Sequence, residues 1–140
     1  MSRWLDRLQP WGAALMRLVL GIAMLHSGYG KIIPPNGLHG SPLAGMEHFS
    51  HYVAGLGLPR WLGYVSALTE FVGGALLILG LLTRCVALLI AVNMGVALVT
   101  VNLHHGYGAS EYKLALIAMA LMLLFFGAGS TAVDRRLGLN

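Results

Sequence analysis

Long apolar runs, interrupted by few polar residues, account for most of the chain. Four such runs lie at about residues 11–30, 61–82, 84–103 and 112–129. At about 1.5 Å per residue, each is long enough to cross a hydrocarbon layer about 30 Å thick. A bilayer core offers no water to backbone amides, so each run is expected to be helical. The pattern predicts an all-α fold, a four-transmembrane-helix bundle that forms a single domain over residues 1–140.

The one long connection, at about residues 31–60, changes character halfway along. Turn-forming residues (IPPNGLHGSP) come first, and an amphipathic stretch (MEHFSHYVAGLGLP) follows. Long loops without structure of their own are usually functional. We therefore expect a short interfacial helix in this first outer loop, from about Pro42 to Gly55.

Composition narrows the class of protein. The chain has 57% hydrophobic and 10% charged residues, whereas soluble domains have about 45–50% and about 25%. This excludes an ordinary soluble enzyme, and the high hydrophobicity also excludes a disordered chain. The basic residues are dispersed singly, so no nucleic-acid partner is expected. The single cysteine, Cys85, excludes a disulfide within the chain.

The basic residues predict the orientation. Five would lie on the side of both termini and three on the other side, and the side richer in Lys and Arg is normally cytoplasmic. We therefore expect a multi-pass plasma-membrane protein with both termini in the cytoplasm. The five are Arg3, Arg7, Arg84, Arg135 and Arg136, and the three are Lys31, Arg60 and Lys113.

Two charged residues fall inside the apolar runs, where each costs about 2.5–3.5 kcal/mol on insertion scales. Glu70 shares its helical stripe with small residues such as Gly63, Ala67 and Gly74, which favour close helix packing. It is therefore expected to face the bundle interior. Arg17 is expected to do the same. Glu70 then either takes part in a buried ion pair or hydrogen bond that fixes packing, with Arg17 as the candidate partner, or it handles protons or a ligand. The alternative for Arg17 is that its side chain extends to the inner headgroups.

Further polar positions predict a pocket that opens to the outer side. Asn93, Thr100 and His104 share one face of the third apolar run. Together with Glu70 and His26 they can line such a pocket. However, His26 lies about 180° around the first helix from Arg17, so the two cannot face one axis without a kink.

The histidines also allow metal or haem alternatives. Glu47, His48 and His51 are close enough in sequence to bind Zn or Cu, and His26 with His104 can be imagined as axial haem ligands. A full three- or four-ligand spacing is missing. Histidines that simply fill an amphipathic surface are the favoured interpretation, so neither metal nor haem is expected.

Several segments resemble the DoxX family of small four-span membrane proteins of prokaryotes. They are RLVLGIAMLHSGYGK (17–31), GLGLP (55–59), ALTEFVGGALLILGLLTR (67–84) and FFGAGSTAVDRRL (125–137). The resemblance implies a link with membrane redox systems, since its relatives include a membrane subunit of thiosulfate:quinone oxidoreductase. The polar positions of the family pattern include Arg17, Lys31, Glu70, Arg84 and Asp134 here.

These observations lead to one expected function and two alternatives. We expect the membrane subunit of a redox system that interacts with quinone or a lipid-soluble reductant and with an electron-donating protein partner. Glu70 and His26 would be catalytic by handling protons, and Arg17, Lys31, Asn93 and His104 would bind the ligand. The alternatives are a non-enzymatic membrane scaffold for soluble redox enzymes and a small transporter, which would have to be a homo-oligomer to form a pore.

Overall fold

The computed structural model describes residues 2–33, 42–105, 110–129 and 131–138, without the side chains of Ser2, Pro42 and residues 101–105. All regular structure in these ranges is helical, as predicted. The helices are α1 (Ser2–Ile32), α2 (Pro42–Gly55), α3 (Arg60–Leu79), α4 (Thr83–His105), α5 (Ser110–Phe126) and α6 (Val133–Leu137).

The long helices agree with the predicted membrane spans. Within the described residues, three segments are long and apolar enough to cross a bilayer: Arg3–Ile32, Arg60–Leu79 and Thr83–Thr100. The apolar helix α5 has 17 residues, the lower end of the usual range for a span. A four-helix bundle is consistent with these lengths. Helix α2 has the bounds expected from the sequence, while its place at the membrane interface stays a prediction.

Glycines bring α1 and α3 into backbone contact. A Cβ built on Gly28 would lie 2.5 Å from the Phe71 amide nitrogen, and one built on Gly74 would lie 2.5 Å from the Leu25 amide nitrogen. No side chain fits at either position. Small residues of this kind allow transmembrane helices to pack at close range, and here they fix the register of α1 against α3.

Apolar side chains fill the interior and also cover the outside. The buried core is formed by large residues from α1, α3, α4 and α5, among them Leu20, Leu77, Ile90 and Leu123. Many large apolar residues on the same helices are exposed, for example Phe125 at 70%. A helix that is apolar all round is typical of a membrane span, so the exposed apolar surface fits contact with lipid.

Helix α2 packs on the ends of α1 and α3. A Cβ on Gly63 of α3 would lie 2.7 Å from the Ser50 Cα atom, and Gly45 lies against the Ile32 carbonyl. Ser50 is fully buried, and its hydroxyl donates to the Glu47 carbonyl oxygen at 2.7 Å. The loop helix is therefore a packed part of the bundle.

Candidate functional site

A fully buried carboxylate, Glu70, is the centre of one polar cluster. Its Oε1 atom accepts hydrogen bonds from Lys31 Nζ at 2.5 Å, Asn93 Nδ2 at 3.1 Å and Ser66 Oγ at 3.4 Å. Its Oε2 atom accepts one from Ser27 Oγ at 2.8 Å. We call Ser27, Lys31, Ser66, Glu70 and Asn93 the Glu70 cluster.

Helical spacing explains how the cluster forms. Ser27 and Lys31 are four residues apart on α1, and Ser66 and Glu70 are four apart on α3, so each pair lies on one face of its helix. The close contact of α1 with α3 brings these two faces together. Asn93 completes the cluster from α4. Three helices therefore meet at one carboxylate.

Lys31 compensates the charge of Glu70. Its side chain is 23% exposed, whereas Glu70 is 0% exposed. Burying a carboxylate is costly unless it is paired and hydrogen-bonded, and both conditions hold here. The Lys31 Nζ atom also lies 4.5 Å from the centroid of the Phe49 ring of α2, close enough for a cation–π interaction. The ammonium group is thus held between a carboxylate and an aromatic face.

A cavity of about 410 Å³ lies beside the cluster, between α2, α3 and α4. We call it the Lys31 cavity. Lys113 of α5 and three members of the Glu70 cluster, Lys31, Ser66 and Asn93, contribute polar groups to its lining, and most of its wall is apolar. Glu70 lies behind these three residues and does not line it. Its volume is within the range of about 300–1,000 Å³ that is usual for ligand pockets. The apolar part of the wall includes Val53, Leu62, Leu89 and Val96.

Arg17 belongs to a second polar cluster. It is 2% exposed, and its Nη1 atom donates to the Ala128 carbonyl oxygen at 3.1 Å. Its Nη2 atom donates to Thr131 Oγ1, also at 3.1 Å. Both acceptors lie in the segment after α5, which folds back over α1. We call Arg17, Ala128, Thr131 and Asp134 the Arg17 cluster.

Asp134 stabilises the start of α4. Its Oδ1 and Oδ2 atoms accept hydrogen bonds from the Leu82 and Thr83 amides at 2.6 and 2.7 Å. A carboxylate at the start of a helix accepts hydrogen bonds from free backbone amides, and its negative charge interacts favourably with the positive end of the helix dipole. The Asp134 amide also donates to the Gly80 carbonyl oxygen at 2.9 Å. The carboxylate further attracts the Arg17 guanidinium electrostatically, so the last helix is fixed to the α3–α4 turn.

The structure brings together some of the predicted residues and separates others. Lys31, Glu70 and Asn93 meet, whereas Arg17 does not contact Glu70 and does not line the Lys31 cavity. The expectation of an ion pair between Arg17 and Glu70 is therefore wrong, because the C-terminal segment provides the partners of Arg17. His26 is exposed on α1, away from the cluster. The side chain of His104 lies outside the described residues.

Sequence reasoning missed two members of the site. Ser27 bonds to Glu70, and Phe49 covers Lys31. The four-residue spacing of Ser27 and Lys31 was a signal that both face Glu70. Nothing local in the sequence indicates that Phe49 would reach Lys31.

The histidine group of α2 has a charged neighbour. Arg60 Nη2 lies 3.1 Å from His51 Nε2 and 3.9 Å from Glu47 Oε1. These groups form an exposed polar cluster that already contains a cation. Among the described residues, no three side chains of the metal-binding types are grouped together.

Together these features define an all-helical integral membrane protein with a buried carboxylate beside a mainly apolar cavity. The sequence model of the DoxX family matches residues 12–103, and the chain belongs to this family. The protein "Putative oxidoreductase CatD" of Bacillus subtilis (strain 168) is 31% identical over 124 residues, which cover 88% of this chain and 84% of that protein.

A second relative is "Inner membrane protein YqjF" of Escherichia coli (strain K12). It is 27% identical over 140 residues, which cover 95% of this chain and 97% of that protein. No solved structure matches the chain. The resemblance to DoxX proteins in the sequence is thus confirmed.

Proposed function

We propose that the chain is the membrane subunit of a redox system that binds a quinone, or a similar lipid-soluble reductant, in the Lys31 cavity. The observation that carries this proposal is a mainly apolar cavity with an ammonium group at its wall and a buried carboxylate directly behind it. The redox part is supported by the relative named "Putative oxidoreductase CatD". The electrons come from a protein partner.

The lining of the cavity suits the chemistry of a quinone. A quinone has an apolar ring and tail and two carbonyl oxygens that accept hydrogen bonds. The Lys31 ammonium has three N–H donors and the Asn93 amide has two, and each uses one on Glu70. In this proposal their remaining donors bind a carbonyl oxygen of the quinone, and the apolar wall holds the ring and the start of the tail.

The Glu70 cluster also provides a route for protons. Reduction of a quinone to a quinol takes up two electrons and two protons. In this proposal Lys31 donates each proton to a quinone oxygen, and the Lys31–Glu70 pair is reprotonated from the aqueous side before the next transfer. A positioned acid of this kind contributes about 10²–10⁴-fold in rate. Glu70 keeps Lys31 charged and oriented, and it shares the proton.

The proposal also includes the location of the protein in the membrane and its orientation. The relative named as an inner membrane protein supports a location in the plasma membrane of a prokaryote. Both termini are proposed to be cytoplasmic, because five basic residues lie on their side and three on the other. The Lys31 cavity would then lie towards the outer leaflet. Attachment of a reporter such as alkaline phosphatase to the C-terminus tests this orientation.

Two neighbouring valines of α4 provide the test of the cavity. Both are exposed, but Val96 lines the cavity and Val99 does not. Val96→Trp should fill the cavity and weaken binding of a short-chain menaquinone at least about tenfold, a loss of about 1.4 kcal/mol. Val99→Trp should leave the affinity unchanged. Binding is measured by equilibrium dialysis with protein in nanodiscs. Equal affinities of the two variants, or no binding by the unsubstituted chain, would contradict the proposal.

A further inference from the structure

A second cavity lies at the other end of the bundle. Its volume is about 550 Å³, and it is formed by the first half of α1, the end of α5 and the segment that follows. Asp6 belongs to its lining and Lys31 to that of the first cavity. The two residues are 25 positions apart on α1, about 38 Å at ~1.5 Å per residue. The second cavity is thus separate from the Lys31 cavity.

The polarity of this cavity changes along its length. Asp6, Gln9, Ala13 and Met16 all line it, and their spacing places them on one face of α1 over about 15 Å. The first two are polar and the last two apolar. On the facing wall, Met122 and other apolar side chains of α5 continue the apolar part. A molecule that fits has a polar head near Asp6 and an apolar chain that extends towards Met16.

The polar end carries charges of both signs. Asp6 of α1 and Arg135 of α6 line the same cavity, and both are exposed. Within the described residues, no ion pair joins the two. A guanidinium group binds phosphate oxygens well, and a carboxylate binds a primary ammonium. A headgroup that contains a phosphate and a primary ammonium is therefore the complementary ligand.

We propose that this cavity is a binding site for one phosphatidylethanolamine molecule. The lipid phosphate binds Arg135, its ammonium group binds Asp6 and Gln9, and one acyl chain lies along Met16 and Met122. A phospholipid with a net negative headgroup, such as phosphatidylglycerol, lacks the ammonium and is repelled by Asp6. The site therefore selects for the headgroup as well as for the acyl chain.

Native mass spectrometry of the protein released from nanodiscs tests this site. The nanodiscs contain equal amounts of phosphatidylethanolamine and phosphatidylglycerol. The unsubstituted protein should retain one phosphatidylethanolamine, about fivefold in excess over phosphatidylglycerol, since one charge near the membrane surface contributes on that order. Asp6→Asn should remove the preference. Arg135→Gln should lower retention of both lipids about fivefold, whereas Arg136→Gln, an exposed neighbour outside the cavity, should change nothing.

A second pair of variants tests the apolar part. Met122→Trp should displace the acyl chain and lower lipid retention, whereas Leu121→Trp, which is exposed beside it and does not line the cavity, should not. Thermal unfolding shows that each variant is folded. Equal retention of the two lipids by the unsubstituted protein, or the same result for the variants of Arg135 and Arg136, would overturn the proposal. An equal loss of lipid retention in Met122→Trp and Leu121→Trp would also overturn it.

Discussion

The two buried polar clusters differ in the groups that satisfy their charges. In the Glu70 cluster every hydrogen bond that the carboxylate accepts from the described part of the chain comes from a side chain, including an ammonium group that lines a cavity. In the Arg17 cluster, three of the four hydrogen bonds that Arg17 and the Asp134 carboxylate make within the described residues go to backbone groups. These are the Ala128 carbonyl and the Leu82 and Thr83 amides. One cluster contains an acid–base pair beside a cavity large enough for a ligand. The other joins segments of the chain.

This difference suggests a different role for each cluster: proton transfer for the Glu70 cluster and stabilisation of the fold for the Arg17 cluster. Backbone amides and carbonyls do not titrate, so a charge bonded to them serves the fold. A lysine bonded to a carboxylate forms a pair that can transfer a proton. We therefore expect substitutions in the Arg17 cluster to act on stability and substitutions in the Glu70 cluster to act on turnover.

The largest effect is expected for Asp134→Ala. The substitution leaves the Leu82 and Thr83 amides without their carboxylate and the buried Arg17 without its nearby opposite charge. A hydrogen bond to a charged group contributes about 1.5–3 kcal/mol, and two are lost, so the free energy of unfolding should fall by about 3–5 kcal/mol. Unfolding in mixed micelles, followed by circular dichroism, measures it. The control is Arg136→Ala on the same helix. A loss below about 1 kcal/mol would show that the C-terminal segment does not stabilise the bundle.

Glu70→Gln should have the next largest effect, and on a different quantity. Gln has the same shape and retains one acceptor oxygen for Lys31 and Asn93, while its NH2 group can donate to the Ser27 hydroxyl. It cannot share a proton with Lys31. Partner-dependent quinone reduction should fall at least about 100-fold, or about 2.7 kcal/mol. The free energy of unfolding should fall by less than about 2 kcal/mol. The exposed Glu47→Gln is the control, with both quantities unchanged. If Glu70→Gln lowers stability and retains turnover, the scaffold alternative is correct.

The smallest effect is expected for a single hydroxyl in each cluster. Thr131→Val removes one acceptor from Arg17 and should lower the free energy of unfolding by about 1 kcal/mol, the usual net value of one hydrogen bond. Turnover should not change. Ser27→Ala removes one donor from Glu70 and should change turnover more than stability. Measurement of both quantities in both variants completes the comparison, and the opposite pattern would argue against the division between the clusters.

Much of the fold could be predicted because the patterns that determine the helices lie within short, contiguous stretches of sequence. Apolar runs of about 20 residues predict spans, and the change from turn formers to an amphipathic stretch predicted α2 at Pro42–Gly55. The small-residue stripe beside Glu70 predicted an interior position, which the structure confirms. The N-terminal extension of α1 to Ser2 was missed, because Arg3, Asp6 and Arg7 interrupt the apolar pattern before residue 11.

The site was harder to predict because its contacts connect distant parts of the chain. Spacing along a helix gives the depth of Arg17 and its helical face, but it cannot show that residues 128 and 131 return to it. The bonds of Arg17 to these two residues span 111 and 114 positions. His26 was expected to help line the pocket, but it is exposed and does not line the Lys31 cavity, in keeping with its place opposite Arg17 on the helix. Its catalytic role stays a prediction.

The bonds from Asp134 to the start of α4 also have a consequence for the timing of assembly. Asp134 lies 51 residues after Thr83, and a ribosome that adds about 5–20 residues per second needs about 3–10 s to synthesise that interval. During this time α1, α3 and α4 are already made, but the first amides of α4 have not yet received their carboxylate. The bundle is therefore complete only after α6 has been synthesised and Asp134 has reached α4.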